Sequence, residues 1–475
     1  MTQAVAPPTD PESLAATPLD PRTQVLLSDP VLPLILRLAW PNLLVMLLQA
    51  STGLIETYWV GRLGPDALAG MALVFPAFML MQMLSVGAMG GGVSSAVARA
   101  LGAGRRGDAD RIAFHGVLLF GLIGAVFSVL AIVFGRPFYT ALGAKGGALE
   151  AALAYSNVIF AGNILLWVMN AFASALRGTG DMLVPAGVTG LGVVLIVPLS
   201  PLLIYGYGPL PGFGVAGGGL AIVIFNAVGC AYLAWHLLAG RSLLSLRAGD
   251  LEWRFFADIL KIGALASLTT VQTNLIFVVV TAVVGHLAGD GALAGYGTAA
   301  RLEYLLIPLA FGFGAPLVPL VGTNIGAGLL DRARRIAFTG GATTFVAATA
   351  VGLAGAVFCR QWLGLFGSDP IMLATGASYL TIAGPTFGFF GLGMALYFAS
   401  QGAGHLSLPL AVTAMRTVIA VGGAVLVGWW DGPLSVVFAA VAVGLLAYGL
   451  VMTFVTAKTD WRVAGHALPM RGDVR

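Results

Sequence analysis

The sequence predicts an all-α integral membrane protein of twelve transmembrane helices, arranged as two six-helix bundles related by a parallel, pseudo-twofold repeat. Three observations lead to this fold class. The 475 residues are 58% hydrophobic and only 9% charged, with a mean hydropathy of +0.94, whereas soluble domains carry about 25% charged residues. Apolar segments long enough to cross a bilayer follow one another along the chain. The second half of the chain also repeats the first.

A helix needs about 20 residues to cross the hydrocarbon core of a bilayer. Twelve apolar segments meet this requirement: residues 34–60, 67–89, 112–134, 150–173, 184–206, 215–239, 258–284, 292–316, 338–358, 371–399, 408–429 and 434–456. The 66 glycines suit such a protein, because small residues let membrane helices pack closely.

Lysine and arginine gather on the cytoplasmic side of membrane proteins. With both termini inside, eighteen of the 24 basic residues are cytoplasmic and four lie outside, the latter being Arg62, Arg136, Lys145 and Arg360. Arg301 and Arg416 lie within spans. We therefore expect a multi-pass protein of the cytoplasmic (inner) membrane with both termini in the cytoplasm.

These spans divide the chain into five parts. Residues 1–33 are rich in proline and are expected to form a flexible cytoplasmic tail, and residues 34–240 form the first bundle. A basic linker, 241–257, leads to the second bundle, 258–457, and to a C-terminal tail, 458–475.

The two halves match at one fixed displacement along the chain, which we call one repeat. Residues 101–104 (Leu-Gly-Ala-Gly) recur as 325–328 (Ile-Gly-Ala-Gly), and 178–180 (Gly-Thr-Gly) recur as 402–404 (Gly-Ala-Gly). Because this displacement contains six spans, both copies enter the membrane in the same direction. Such parallel repeats are typical of transporters that rock one half against the other.

The repeated segments resemble the multidrug and toxic compound extrusion (MATE) family, and within it the DinF-like prokaryotic branch. The matching motifs are 56–64 (Glu-Thr-Tyr-Trp-Val-Gly-Arg-Leu-Gly), 67–70 (Ala-Leu-Ala-Gly), 102–104 and 326–328 (both Gly-Ala-Gly) and 177–181 (Arg-Gly-Thr-Gly-Asp). The resemblance covers residues 31–457. It implies a twelve-helix antiporter that expels cationic or amphipathic small molecules in exchange for protons or sodium ions.

The ion site departs from the pattern of that branch. Glu56 stands where span one of the branch has an aspartate, and Ile196 and Ser200 stand where span five has an asparagine and an aspartate. The acid that the NorM-like branch carries in span seven is replaced by 272–274 (Gln-Thr-Asn). The sequence therefore implies an altered ion site.

A carboxylate within a span is costly in lipid and is by default a functional candidate. Glu56 shares a helical stripe with Thr52 and Gln49, and we predict that these three residues, together with Ser200 and Glu303, form the ion-coupling set. The alternative is that Glu56 lies near the outer interface and reaches water there. Protons are the favoured coupling ion, and sodium is the alternative.

The predicted substrate contacts are polar residues on helical stripes, together with aromatic and methionine side chains, which can repack around varied compounds. They are Asn42, Met71, Phe75, Phe78, Gln82, Asn163, Trp167, Asn170, Asn274, Phe387, Met394 and Tyr397. For the polar residues the alternative is hydrogen bonding between helices, and for the others it is contact with lipid or with neighbouring helices.

Arg301 and Glu303 lie two residues apart in span eight and so do not share a helix face. Each is expected to have a partner on another helix. A structural and a coupling role both remain open for the two residues.

Other function classes are disfavoured. The glycine-rich segments lack the Gly-Lys-Ser/Thr ending of a phosphate loop, so we expect no ATP hydrolysis. A membrane enzyme would need a cluster of histidines or acids at the aqueous edge, and the sequence shows none, so we expect no enzymatic activity and no cofactor. His115 and His236 show no metal-ligand spacing, so no metal is expected. A flippase for lipid-linked precursors or polysaccharides would need several cationic residues in its cavity, and only Arg301 and Arg416 lie within spans. We expect a monomer in contact with membrane lipids and without a nucleic-acid partner.

Overall fold

The computed structural model describes residues 20–208, 210–246 and 249–462, without the side chains of residues 49–54 and 210. Within these residues the first half of the chain forms spans one to six. They are Val31–Gly61, Pro65–Gly102, Arg106–Ala141, Gly146–Ala161 with Asn163–Gly178, Leu183–Tyr205 and Val215–Leu238. The two helices of span four meet at a bend of 44°. A two-residue antiparallel pair, Gly206–Tyr207 with Leu210–Pro211, connects spans five and six.

The second half begins with the helix Trp253–Gly326, which is 74 residues long and contains both span seven and span eight. As one straight helix it would measure about 110 Å, far more than a bilayer. It reverses at Gly289, whose φ of 73° lies in the left-handed region that glycine favours. The rings of Phe277 and Tyr304, on either side of this reversal, stack with centroids 4.1 Å apart. Spans seven and eight therefore form a helical hairpin.

Spans nine to twelve are Leu330–Val357, Pro370–Ala403, Ser407–Trp429 and Leu434–Lys458. A short helix, Cys359–Gly364, lies between spans nine and ten, and one 3₁₀ turn, Gly384–Thr386, interrupts span ten. Counting the bent pair as one span and the hairpin as two, the described residues contain the twelve spans that the sequence predicts.

Several helices are longer than their predicted spans. Span two was predicted to end at residue 89 and runs to Gly102, and span three, predicted as 112–134, covers Arg106–Ala141. Hydropathy measures only the part of a helix that lies in hydrocarbon, whereas the backbone hydrogen bonds continue beyond it.

Span three shows how the outer surface suits lipid. Leu122, Val126, Val129 and Val133 follow one another at helical spacing and are 49–64% exposed. Such an apolar stripe would be unfavourable in water and is what a helix presents to hydrocarbon chains.

Contacts between helices of the first half recur at the equivalent positions of the second half. A methyl group added at Gly178 would overlap the carbonyl oxygen of Ser94, and one added at Gly402 would overlap that of Val318. Both members of the second pair lie one repeat after those of the first. Spans two and four therefore pack as spans eight and ten do.

Connections between consecutive spans alternate between the two faces of the molecule. The face that carries residues 103–105, 179–182, 239–246, 249–252, 327–329 and 404–406 is named the basic face, and the other is named the opposite face. At the basic face the halves touch reciprocally: Gly102 lies against the carbonyl oxygen of Thr323, and Gly326 against that of Arg99. Gly326 and Thr323 lie one repeat after Gly102 and Arg99, so the pseudo-twofold axis passes between these contacts.

Residues 20–33 differ from the flexible tail that was expected. Pro21 begins a helix, Pro21–Ser28, and the side chain of Asp20 caps it by accepting a hydrogen bond from the Arg22 amide at 2.9 Å. The helix bridges the two halves at the basic face: Arg22 pairs with Asp181 at 3.0 Å, and Asn324 donates to the carbonyl oxygen of Leu26 at 3.1 Å. Residues 1–19, and with them most of the predicted tail, lie outside the described residues.

The linker between the halves is attached to span three. Asp110 accepts hydrogen bonds from the amide and hydroxyl of Ser245 at 2.7 and 2.9 Å, and Arg111 donates to Glu252. The backbone amide of Glu252 donates to Nε2 of His115 at 3.0 Å. These bonds connect the start of span seven to the first bundle.

Candidate functional site

Glu56 lies inside the first bundle. Its side chain is 8% exposed, and Oε1 accepts a hydrogen bond of 3.0 Å from the hydroxyl of Tyr155 in span four. Gly218 of span six lies so close that a methyl group there would be 3.2 Å from the same oxygen. Span five adjoins, because the same methyl position is 3.7 Å from Cδ1 of Ile204. Four spans therefore surround this carboxylate.

This burial argues against the alternative in which Glu56 reaches water at the interface. The residues that do lie there are its neighbours: Tyr58 is 56% exposed, and Arg62 lies over the rings of Tyr58 and Trp59. Within the described residues Glu56 forms no ion pair with a basic side chain within 4.0 Å.

The structure describes the side chain of only one of the other predicted ion-coupling residues of the first bundle. Ser200 is 1% exposed, and its hydroxyl has no hydrogen-bond partner in the described part of the chain. The side chains of Gln49 and Thr52 lie outside the described residues. Their roles stay predictions.

The second bundle contains a different carboxylate cluster. Glu303 accepts a short hydrogen bond from the hydroxyl of Tyr379 and lies 3.8 Å from the guanidinium of Arg416. Arg416 in turn lies over the rings of Phe390 and Tyr448, at 4.9 and 5.5 Å from their centroids. The expected partner of Glu303 on another helix is therefore Arg416 of span eleven.

Arg301 points elsewhere. Its guanidinium lies 5.3 Å from the ring centroid of Phe366, in the segment before span ten, and lines an open cavity of about 410 Å³ with Thr298 and Met372. No carboxylate of the described residues lies within 4.0 Å of it, so the partner expected for Arg301 is an aromatic ring instead of an acid.

The predicted polar substrate contacts are engaged with their neighbours. The amide of Asn163 donates to the Gly124 carbonyl at 3.2 Å, and that of Asn170 donates to the Ser85 hydroxyl at 3.0 Å. Asn42 donates to the Leu38 carbonyl of its own helix at 3.5 Å and to Sδ of Met182 at 3.6 Å, and Asn274 donates to Thr270 of its own helix at 2.9 Å. These bonds agree with the alternative of helix packing but leave the carbonyl oxygen of Asn163 without a partner in the described region.

The remaining predicted substrate contacts are mostly interior. Those that are buried are Met71, Phe78, Trp167, Phe387 and Tyr397, while Gln82 and Met394 are half-buried and Phe75 is 44% exposed. None of them lines the 410 Å³ cavity or the pocket described next. Their part in substrate binding stays a prediction.

A pocket that sequence analysis did not predict lies between the halves. This central pocket, about 20 Å³ in volume, is lined by Gly87 and Ser94 of span two, Arg177 of span four, Phe311 of span eight, and Phe398 and Gln401 of span ten. Arg177 was assigned to a cytoplasmic loop because the predicted span ended at residue 173, but the helix continues to Gly178. The signal that could have found it is Ser174, one turn earlier on the polar stripe of span four.

Two parallel-related bundles of six spans, with buried carboxylates inside them and a polar pocket between them, define a multi-pass membrane transporter. The MatE family model matches residues 41–202 and again residues 266–426. The two matched segments are displaced from each other by nearly the same interval as the repeated motifs. The chain belongs to the MATE family of multidrug and toxic compound extrusion transporters.

The names of related proteins describe transport or multidrug resistance. The chain is 27% identical over 380 residues to the FAD transporter of Shewanella oneidensis, covering 79% of this chain and 82% of that one. It is 31% identical over 313 residues to the probable multidrug resistance protein NorM of Deinococcus radiodurans, covering 64% and 67%.

Solved structures match over nearly the whole chain. A MOP superfamily transporter from Pyrococcus furiosus gives a TM-score of 0.85 at 26% identity, covering 93% of this chain and 98% of that one. An outward-facing multidrug resistance MATE family transporter gives the same TM-score, identity and coverage. The chain is thus an efflux transporter of this family, with small-molecule substrates and ion coupling.

Proposed function

We propose that the protein exports cationic or amphipathic small organic molecules in exchange for protons, with Glu56 as the coupling residue. The observation that carries this proposal is the isolation of the Glu56 carboxylate. It is buried among four spans, accepts one hydrogen bond from Tyr155, and has no basic partner within 4.0 Å among the described residues. A charge in such a place is costly, and binding a proton removes it.

Glu303 supports this assignment by contrast. Its charge is balanced by Arg416 at 3.8 Å, and both side chains are almost fully buried. A proton that bound Glu303 would leave the Arg416 charge buried and unpaired, which is strongly unfavourable. We therefore assign Glu303 and Arg416 a structural role.

The transport cycle follows from two ligands that favour opposite states of one site. Release of the proton from Glu56 to the cytoplasm restores a negative charge, which attracts a cationic or amphipathic substrate. Protonation from the outside removes that charge and expels the substrate. The parallel bundles supply the motion, because rocking one against the other opens the site to each side in turn.

The positive-inside rule orients the molecule with its basic face in the cytoplasm. The halves are in contact at that face through Gly102 and Gly326, and the hydroxyl of Ser95 donates to the Gln401 carbonyl across the same boundary at 2.6 Å. We infer an outward-facing conformation in the cytoplasmic membrane, with both termini inside.

Sodium is the second candidate ion. The hydroxyl of Ser200, buried without a partner in the described region, is an oxygen that a cation could use. Sodium would need several more oxygens beside those of Glu56 and Tyr155, whereas a proton needs one.

The test is efflux by the purified protein in liposomes under an imposed pH gradient and, separately, a sodium gradient. Glu56→Gln imitates the protonated form, so we expect it to abolish efflux driven by the pH gradient while leaving folding intact. Glu56→Asp restores the acid more frequent in the family and should keep partial activity. Transport by Glu56→Gln at the wild-type rate would move the coupling site elsewhere.

A matched control is Glu150→Gln. Glu150 forms a surface pair with Arg136 in which both side chains are more than half exposed, so its loss should leave efflux unchanged. Efflux driven by sodium alone would assign coupling to sodium instead of protons.

A further inference from the structure

The central pocket holds a positive charge that nothing in the described structure balances. The only hydrogen bond of the Arg177 guanidinium there goes from Nη1 to the hydroxyl of Ser174, at 3.4 Å. A guanidinium carries five N–H donors, and no carboxylate of the described residues lies within 4.0 Å of the Arg177 guanidinium. Arg416, which is 2% exposed, faces Glu303 instead.

Two further polar atoms in the wall of the pocket lack partners. The hydroxyl of Ser94 and the carbonyl oxygen Oε1 of Gln401 are buried and form no hydrogen bond within the described residues. Ser94 is 4% exposed and Gln401 is fully buried. Buried polar atoms are normally paired, so this cluster is incomplete as it stands.

A simpler role for Arg177 would be to neutralise the carbonyl end of its helix, since it lies in the last turn of Asn163–Gly178. Arg99, in the last turn of span two, does donate to a helix-end carbonyl, that of Gly402 at 3.3 Å. Arg177 does not. Helical side chains point back toward the N-terminus, and its guanidinium accordingly lies beside Ser174 and among the pocket residues.

The other walls of the central pocket are formed by aromatic rings and by an irregular helical turn. The rings of Phe311 and Phe398 meet edge to face at 5.6 Å, and a methyl group at Gly87 would lie 3.8 Å from Phe311. The span-two wall includes part of a π-helical turn, Leu84–Met89, an irregularity that often marks functional sites. The present volume admits about one water molecule, and because spans two and four lie in one half and spans eight and ten in the other, the pocket widens when the halves part.

We propose that the central pocket binds the negatively charged group, a phosphate or carboxylate, of an aromatic substrate, with Arg177 as the residue that recognises the charge. The hydroxyl of Ser94 supplies a further donor, and Phe311 and Phe398 contact the ring; the amide nitrogen of Gln401 already donates to the carbonyl oxygens of Gly87 and Ala88, at 3.3 and 3.4 Å. The inference rests on the proposed export function and adds to it a second, oppositely charged contact.

Binding to the purified full-length protein tests this without requiring transport. The probes are riboflavin and FMN, which is riboflavin carrying one phosphate; both are fluorescent, so each can be titrated by fluorescence anisotropy. We expect the wild type to prefer FMN by about tenfold or more, the effect of one charge-assisted hydrogen-bonded pair. Arg177→Gln should abolish the preference while retaining riboflavin binding. Arg177→Lys keeps the charge and should retain part of the preference. That retained preference would show that the site is folded.

Arg241→Gln is the matched control, because it removes one positive charge from the basic face outside the pocket, where Arg241 lies over Trp235. Three results overturn the proposal: equal wild-type affinity for FMN and riboflavin, an FMN preference that survives in Arg177→Gln, or equal loss of both ligands in Arg177→Gln and Arg177→Lys, which would make Arg177 structural. A failure of the export proposal can be distinguished from a failure of this one. It would appear as an absence of gradient-driven efflux and would leave the binding result unaffected.

Discussion

Tyr155 and Tyr379 occupy equivalent positions of the two repeats, and each donates its hydroxyl hydrogen bond to a buried carboxylate. The carboxylates themselves are not equivalent: Glu56 comes from span one and Glu303 from span eight. One repeat before Glu303 stands Met79, and one repeat before Arg416 stands Gly192. The two equivalent tyrosines therefore donate to an isolated acid in one half and to the acid of an ion pair in the other.

Tyr155→Phe tests the first of these contacts. It removes the hydrogen-bond donor that holds Glu56, and a hydrogen bond to a charged group contributes about 1.5–3 kcal/mol. We expect efflux driven by a pH gradient to slow by about tenfold or more, measured in liposomes. An unchanged rate would show that Tyr155 does not position the coupling residue.

Tyr379→Phe is the same change at the equivalent position. Glu303 would keep Arg416 but lose a buried donor, so we expect a stability loss of about 1–3 kcal/mol and an unchanged efflux rate per folded molecule. Thermal unfolding of the purified protein, read beside the liposome assay, checks both parts. A loss of efflux without a loss of stability would argue that Glu303 takes part in coupling.

The reciprocal glycine contact predicts the effect of adding one methyl group. Gly102→Ala and Gly326→Ala would each force a carbonyl of the other half away, which we expect to destabilise the closed basic face by about 1–3 kcal/mol. Gly107→Ala is the control, because a methyl group there meets no atom within 4 Å. Thermal stability of Gly102→Ala equal to that of Gly107→Ala would contradict the packing described here.

The N-terminal helix Pro21–Ser28 predicts a change in protease sensitivity. Asn324→Ala removes the donor to the Leu26 carbonyl, so we expect the helix to detach more often and trypsin to cut after Arg22 faster. Asn274→Ala serves as control, since that amide bonds only to its own helix, at Thr270. Equal cleavage rates in the two variants would mean that Asn324 does not hold the helix.

The linker predicts a dependence of stability on acid pH. A hydrogen bond from Arg254, with the positive charges of Arg254 and Arg111, holds the pKa of the Glu252 carboxyl below its usual range. A lowered native pKa contributes stability above the unfolded-state value of about 4.3, and this contribution is lost as the pH falls through the native value. Glu252→Gln should therefore lower the unfolding temperature at neutral pH and weaken its fall on acidification. A pH profile parallel to that of the wild type would contradict this assignment.

Much of the fold follows from composition and spacing. The apolar segments predict the number of spans, and the displacement between halves predicts their parallel relation, because both depend on local properties of the chain. The helix Pro21–Ser28 was missed although Asp20 and Pro21 form a regular helix start.

The candidate site was less predictable, because it depends on contacts between distant spans. Nothing local indicates that Glu303 pairs with Arg416, which lies three spans later. The position of Arg177 in the central pocket depends on where span four ends, and hydropathy places that end several residues too early. Glu56 is a candidate from the sequence because an acid inside an apolar segment is itself a local signal, and its coupling role stays a prediction.

The reciprocal contact of Gly102 and Gly326 is the kind of interface that two identical subunits form around a twofold axis. A single six-span polypeptide with this surface would pair with a second copy of itself. Such a pair must keep identical residues on both sides. Joining the copies through residues 241–252 removes that requirement, so one half can keep an acid balanced by arginine while the other keeps an acid alone. Duplication followed by fusion thus lets a symmetric scaffold hold two chemically different buried acids.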